Sequence, residues 1–413
     1  MQTRMIHAAL LLLWTRQVTQ AKTFTIKDIT VVDVKAGDLL ARKNIVVEDN
    51  KILSIDDAKN STRHTDGDIN GRGKFAIPGL SDMHVHVFFS NDPASFEVGN
   101  NLTMPLFVAN GVTTVRDLGS NLKAIKSARD DVEQHKLVGP RVFFTGPMLD
   151  GPNSPFETTI RLATPAEARR EVKNLKDSGV DYIKVHLKLS RSVFDEVARA
   201  CKAENITFGG HVPDSITAQH AVNMGMGFIE HMSRLDDIDS DGDLKETMRD
   251  KEIWQCPTLK LGPAARRFNL TKTLFDAKVP MVAGTDSPAG QNLCPGFSLL
   301  DELQLMNEAG LSELETLQTA TVNASSSLGS KGLMMGTIEV GKLADIVLLD
   351  ENPLDDIRNV RSISTVIADG RVFSKKEIDK MLTGADRLSQ CVEQRGTRAA
   401  RDLVSAGPSC CSA

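Results

Sequence analysis

Between Phe75 and Gly329, short apolar segments recur at intervals of about thirty residues, each parted from the next by an amphipathic helical stretch. The segments are FAIPGLSDMHVH, GVTTVRDL, RVFFTGP, DYIKVH, ITFGGH, GFIEH, IWQCPT and VPMVAGTD. Stretches such as PAEARREVKNLKDSG and RSVFDEVARACKAEN lie between them and stop near Gly or Asn, as helices do. Eight βα units at this period describe a (β/α)8 TIM barrel over residues 75–334. An open, doubly wound sheet is the alternative, but it needs fewer units, and no GxGxxG follows the first strand.

The flanks have a different texture. FTIKDITVVDV and NIVVEDNKILSID near the start alternate β-branched residues with turns, and GTIEVGKLADIVLLDENPL and SISTVIADGRVFS do so near the end. An α/β chain is expected in which both ends, residues 22–74 plus 335–375, build one small β-sandwich domain beside the barrel. Residues 376–413 are charged and then rich in small residues, and read as a surface helix followed by a loose end.

Arg4, an apolar stretch from Ile6 to Trp14, and small residues at Thr19 and Ala21 form the pattern of a secretory signal over 1–21, too short to span a bilayer. Sequons at Asn60, Asn101, Asn205, Asn269 and Asn323 agree with a secreted glycoprotein; a cytoplasmic location is the alternative. The six cysteines are too few and too scattered to scaffold a chain this long, although Cys391 could bridge to Cys410 or Cys411. A net charge of −5 with no basic stripe argues against nucleic acid. A small-molecule substrate is the expected partner, with no membrane span; a homo-oligomer is left open.

Barrel enzymes carry their chemistry at the carboxyl ends of the strands. Here those ends bear His84 and His86 (first), Lys184 (fourth), His211 (fifth), His231 (sixth) and Asp286 (eighth). His84 and His86, two apart on a strand, share one face. One such residue would only cap a neighbouring loop or satisfy the core; six together resist that reading. Four of the nine histidines fall at these ends, and imidazole is the commonest neutral metal donor.

This set resembles the binuclear metal site of the amidohydrolase superfamily. PGLSDMHVH, GVTTVRDLG, GPMLDGP, GGHVPDS, AGTDS and GKLADIVLLDENPL resemble its stretches too, over nearly the whole chain from Ile26 to Gly370. The resemblance is strongest to the imidazolonepropionase-like or Xaa-Pro dipeptidase-like branch. It implies one divalent ion on His84, His86 and Asp286 and a second on His211 and His231. Lys184 would bridge them as a carbamate made with carbon dioxide. An ammonium cannot ligate a cation, so a lysine aimed into such a cluster must be neutral or converted into an anion. Imidazole with carboxylate suits Zn2+ best, with manganese, cobalt or iron as alternatives. Two such ions bind one hydroxide between them at neutral pH.

Asp286 is then both a ligand and the group that takes a proton from the attacking water and delivers it to the departing nitrogen. His231 and His186 join it as candidate catalytic residues. His186 stands where dipeptidase-like relatives often have tyrosine; it could polarise the substrate carbonyl, contact substrate, or merely pack a loop. Tyr182, the only tyrosine, is expected deeper in the barrel. The connection from Pro257 to Gly284 is shorter than in relatives, so specificity transfers least there. Arg116 and Asp117 are expected to brace the site, or to form a plain structural ion pair. Gly146 to Asn153 should form pocket wall, and Cys256 a buried thiol without a nucleophilic role. No GxSxG suggests a serine hydrolase. The expected activity is hydrolysis of an amide or cyclic amide C–N bond in a small molecule or dipeptide. The competing readings are a decarboxylation, dehydration or isomerisation at the same site, and a degenerate binding protein, against which the intact set of six argues.

Overall fold

In the computed structural model of the chain, residues 23–60, 67–236, 238, 243–262, 265–289 and 292–384 are described. The expected signal over 1–21, the end of the chain beyond residue 384, and Cys391, Cys410 and Cys411 lie outside them. Five strands come first: β1 (Thr23–Val32), β2 (Leu39–Glu48), β3 (Lys51–Asp57), β4 (Ile69–Asn70) and β5 (Phe75–Pro78). Next come β6 (Leu80–Val85), β7 (Val112–Asp117), β8 (Arg141–Phe144), β9 (Met148–Asp150) and β10 (Thr159–Arg161). After them lie β11 (Ile183–Val185), β12 (Phe208–Gly210), β13 (Phe228–Glu230) and β14 (Trp254–Cys256). The last are β15 (Ile346–Leu349), β16 (Ile363–Ala368) and β17 (Arg371–Ser374).

Both chain ends enter a single eight-stranded sheet in the order β17-β16-β15-β5-β1-β2-β3, with β4 paired to β1. Ile26, Ile29, Ile45, Val47, Ile346, Leu348 and Ile367 meet in its core, a cluster distinct from the main core of the chain. The β16–β17 hairpin turns at Asp369 and Gly370, both at positive φ, the pairing a two-residue turn requires. A Cβ on Gly370 would stand 1.9 Å from the Asp49 carbonyl oxygen, so the turn at Asp49 abuts this one.

Two parallel runs, β6-β7-β8 and β9-β11-β12-β13-β14, form the wall of a TIM-barrel-like domain. The expected first strand divides at Gly79: β5 belongs to the end-built sheet and β6 to the barrel. No side chain fits at that junction, since a Cβ on Gly79 would lie 2.1 Å from Thr113 Oγ1.

The eighth segment, 279–286, departs from expectation in having no strand of its own among the described residues. It still closes the ring through isolated backbone bridges on either side. Gln255 N–H donates to Pro280 O (2.9 Å) and Met83 N–H to Ala283 O (3.0 Å). The cause is local. Gly284 is wedged between Cys256 Sγ and His84, and Asp286 at φ 67° leaves the extended region, so a regular ladder cannot form.

The crossover helices follow their expected signals. Thr164 and Glu167 form a reciprocal capping box on helix Pro165–Asp177, and Gly179 follows its end at φ 82°. Helix Arg191–Ala203 stops before Asn205 at φ 48°. Residues 375–384 are helical. No helix of the described residues is long and apolar enough to cross a membrane.

Candidate metal centre

His84 and His86 turn their Nε2 atoms to the same point, 3.3 Å apart. Asp286 Oδ1 lies 3.2 Å from the first and 2.9 Å from the second. Lys184 Nζ stands 3.4 Å from His84 Nε2. The His231 ring is centred 4.7 Å from that of His84, and the His211 ring 4.5 Å from His231. All six residues singled out at the strand ends therefore meet in one place. A seventh, His186, joins with its ring 4.3 Å from His211.

What lies behind each ring fixes which nitrogen faces the centre. His84 Nδ1 sits 2.6 Å from Glu230 Oε2, and the other oxygen of that carboxylate accepts from Arg116 Nη2 at 2.8 Å. Arg116 Nε donates to Met83 O, and its guanidinium lies over the Phe228 ring. Glu230 is thus fully engaged from behind, and His84 is left to present Nε2 as a lone pair. Thr258 Oγ1 gives its only proton to Pro257 O and lies 2.7 Å from His231 Nδ1. It can only accept there, so His231 also presents Nε2 forward. His86 Nδ1 and His211 Nδ1 are buried with no partner. The donor set of two imidazole Nε2 atoms and a carboxylate within reach of one point fits a divalent ion.

Electrostatics favour the same forms. Burial, joined by the Lys184 charge, holds His84 well below the ordinary imidazole range. Burial does the same for His211 and brings His231 down to about 4. Burial likewise lowers Lys184, so its ammonium is disfavoured where it points. Burial would raise Asp286, but the His84 charge and the hydrogen bond from His86 hold it well below the usual carboxylate range. Burial thus favours the neutral forms of His84, His211 and His231 beside an ionised Asp286.

A second group, His84, Glu230 and Cys256, is also within ligating reach. It does not suit a metal. Glu230 is spent on Arg116 and His84 Nδ1, and burial pushes the Cys256 thiol well above its ordinary range.

Arg116 braces the site as expected, but its partner is Glu230 and not Asp117. Asp117 instead accepts from Val87 N, Gly119 N and Ser120 Oγ, and so holds the chain just beyond His86. Tyr182 packs edge-on against Phe228, on the closed side of the barrel. His186 Nδ1 lies 3.1 Å from Asp150 Oδ2, and Asp150 also accepts from Gly151 N and Lys188 N.

Asp82, Asp150, Glu230 and Glu302 are among the buried acids that escaped the sequence reading. Asp82 accepts from Thr285 N and Oγ1 and from His84 N, tying the first strand to the eighth segment, and burial pushes it up to about 7. Glu302, on helix Phe297–Glu308, accepts from Leu259 N and Lys260 N. The available signal was an acid inside an apolar run, which is costly to bury without a purpose.

The pattern of the amidohydrolase family matches residues 75–373. Ochratoxinase of Aspergillus niger is 24% identical over 375 residues, covering 72% of this chain and 75% of that protein. 5-Methylthioadenosine/S-adenosylhomocysteine deaminase of Caldanaerobacter subterraneus subsp. tengcongensis is 23% identical over 454 residues, covering 92% and 99%. Among solved structures, a Xaa-Pro dipeptidase with bound methionine in its active site superposes with a TM-score of 0.73 at 21% identity, covering 85% of this chain and 100% of that one, a likeness of fold. With the match spanning the barrel and the last strands, the chain belongs to the amidohydrolase family.

Proposed function

We propose that this amidohydrolase cleaves a C–N bond, an amide or cyclic amide of a small molecule or dipeptide, with two divalent ions held at the six-residue cluster. His84, His86 and Asp286 hold one ion and His211 and His231 the other, with Lys184 between them as a carbamate; zinc suits the donors best. The observation that carries this reading is the convergence of the six with His84 and His231 committed from behind, so that their lone pairs face one point. The names of relatives, an ochratoxinase and a deaminase, agree with C–N chemistry.

Ions bound there supply a water-derived nucleophile at neutral pH and polarise the scissile carbonyl. The remaining work falls to the chain. Asp286 reaches the centre with an oxygen kept ionised, so it accepts the proton of the attacking water and passes it to the departing nitrogen. Asp150 accepts from His186 Nδ1–H, which turns Nε2 of that ring to the substrate side, where it hydrogen-bonds the amide.

The test is metal content measured with a panel of N-acyl amino acids, Xaa-Pro dipeptides and lactams. Two ions per chain and turnover of at least one class are expected. A protein that binds no metal, or a Lys184→Ala variant that retains two ions and full rate, overturns the reading.

We also read the end-built sheet as a sandwich, because its whole core is drawn from that one sheet, which must curl on itself to enclose it. A secretory route fits as well. Cys294 is disulfide-bonded, and Asn101, Asn205 and Asn269 are exposed, whereas the Asn323 amide donates to Met281 O. Loss of mass on glycosidase treatment of secreted protein checks it, and an unshifted mass refutes it.

A further inference from the structure

Ring contacts continue past the proposed ligands and return to their start. His86 packs tilted against Phe89 at 4.6 Å, Phe89 tilted against Phe156 at 5.4 Å, and Phe156 in a T-shaped contact with His186 at 5.1 Å. His186 meets His211, His211 meets His231, His231 meets His84, and His84 meets His86. The circuit therefore has seven rings, and only two, Phe89 and Phe156, carry no polar atom. They span the arc opposite the metal donors. Both are half-buried, as His211 and His231 are, so each keeps part of a face open.

These two rings sit on separate loops, and one residue clasps the loops together. Glu157 Oε2 accepts from Ser90 Oγ (3.1 Å) and from Asn91 N (3.2 Å), and Glu157 O accepts from Asn91 Nδ2 (3.1 Å). Residues 90 and 91 directly follow Phe89, and Glu157 directly follows Phe156. The spacing of the rings is thereby fixed by hydrogen bonds that touch neither ring.

We propose that Phe89 and Phe156 are a specificity wall that takes a planar unsaturated group attached next to the scissile carbonyl, and that Glu157 is the positioning residue that holds the wall together. A flat group gains on such a wall because an aromatic face prefers an offset or edge-on aromatic partner over a small aliphatic one. A wall of two half-open rings facing five imidazoles offers one apolar side and one polar side. It selects substrates whose aryl or similar flat acyl group lies beside a hydrolysable bond. This rests on the functional reading above.

The experiment uses the zinc-loaded protein and two chelating probes, benzohydroxamate and acetohydroxamate, with affinities from calorimetry. The wild type should bind benzohydroxamate at least tenfold tighter than acetohydroxamate. Phe156→Ala and Phe89→Ala should each lower the benzohydroxamate affinity by about tenfold and leave acetohydroxamate unchanged. Phe156→Leu, which keeps apolar volume and guards against misfolding, should fall between. Glu157→Ala should lose part of the preference, and Glu157→Gln, which keeps an accepting oxygen, should regain it. Equal affinities in the wild type, equal losses of both probes in the phenylalanine variants, or an unmoved preference in Glu157→Ala overturn the proposal. Benzamide against acetamide, compared by saturation-transfer NMR, measures the preference without a chelating group. If no amide is turned over yet the aryl preference follows Phe89 and Phe156, the hydrolytic reading falls and the wall stands. Turnover of amides with no aryl preference gives the reverse.

Discussion

Ile26, Ile45, Val47 and Ile346 meet inside the end-built sheet, where β1 and β2 run for ten residues each. His84, Lys184, Arg116 and Glu230 meet inside the barrel mouth, where β11 and β13 have only three. In the sheet, stability comes from apolar area removed from water, and each side chain contributes in proportion to its size. In the barrel mouth, every buried donor and acceptor must find a partner, and a missing one costs more than its partner ever contributed. Errors in the first region are graded and local; errors in the second leave a charge behind.

The sharpest break in that contrast is at Asp286. Asp286→Asn keeps the shape of the side chain but removes its proton-accepting role. Turnover should fall by about 10²–10⁴-fold while the melting temperature barely moves, read by steady-state kinetics beside calorimetry. A near-normal rate would remove Asp286 from the mechanism. Glu230→Ala comes next. It strands the Arg116 charge in the barrel and frees His84 Nδ1, so a stability loss of about 3–5 kcal/mol and a 10–100-fold weaker metal affinity are expected from denaturant and metal titrations. Loss of stability with unchanged metal affinity would show that Glu230 is only structural.

Ile45→Ala probes the other region. A loss of about 2–5 kcal/mol is expected, with metal affinity and KM unchanged in the folded fraction. If metal affinity drops as well, the two regions are coupled and the contrast fails. The smallest effect is on acid stability. Burial of the half-buried His231 brings its folded value to about 4, below the ordinary 6.5, so the unfolded chain binds the proton first as pH falls. The stability it contributes is complete above about 6.5 and is lost on the way down to about 4. For metal-free protein that amounts to about 3 kcal/mol at most, read from urea midpoints across that window. Flat midpoints would place a partner on His231 that keeps it charged.

The ligand cluster was legible because strand alternation works on its donors. His84 and His86 are two apart, as are Lys184 and His186, and each pair does share a face. Glu230 was illegible for the same reason. It directly precedes His231, so alternation sends the two to opposite faces. Instead, His231 adopts φ 58°, the alternation breaks, and both side chains reach the interior. Asp286 at φ 67° and the missing eighth strand show the same effect. The division at Gly79 was hidden because one apolar run serves two sheets in succession. Asp150 and Glu302 stood out only as acids in apolar runs, and their roles could not be read, since they hold backbone amides far away in sequence. The both-ends origin of the sheet was visible in texture, since its hairpin turns carry Asp and Gly at the positions that need positive φ.

Glu302 reaches across from its helix to grip the amides of Leu259 and Lys260, directly after the threonine that steadies His231. That grip anchors the root of the short connection, and Arg267 further along donates to Thr258 O and His231 O. Insertions or deletions between Lys260 and Arg267 reshape the rim over the pocket while Glu302 holds Leu259 and Lys260 in place. The same change placed before it would swing His231 away from the cluster. The chain can therefore change what it admits, by editing length on one side of a single carboxylate, while leaving intact the chemistry it performs.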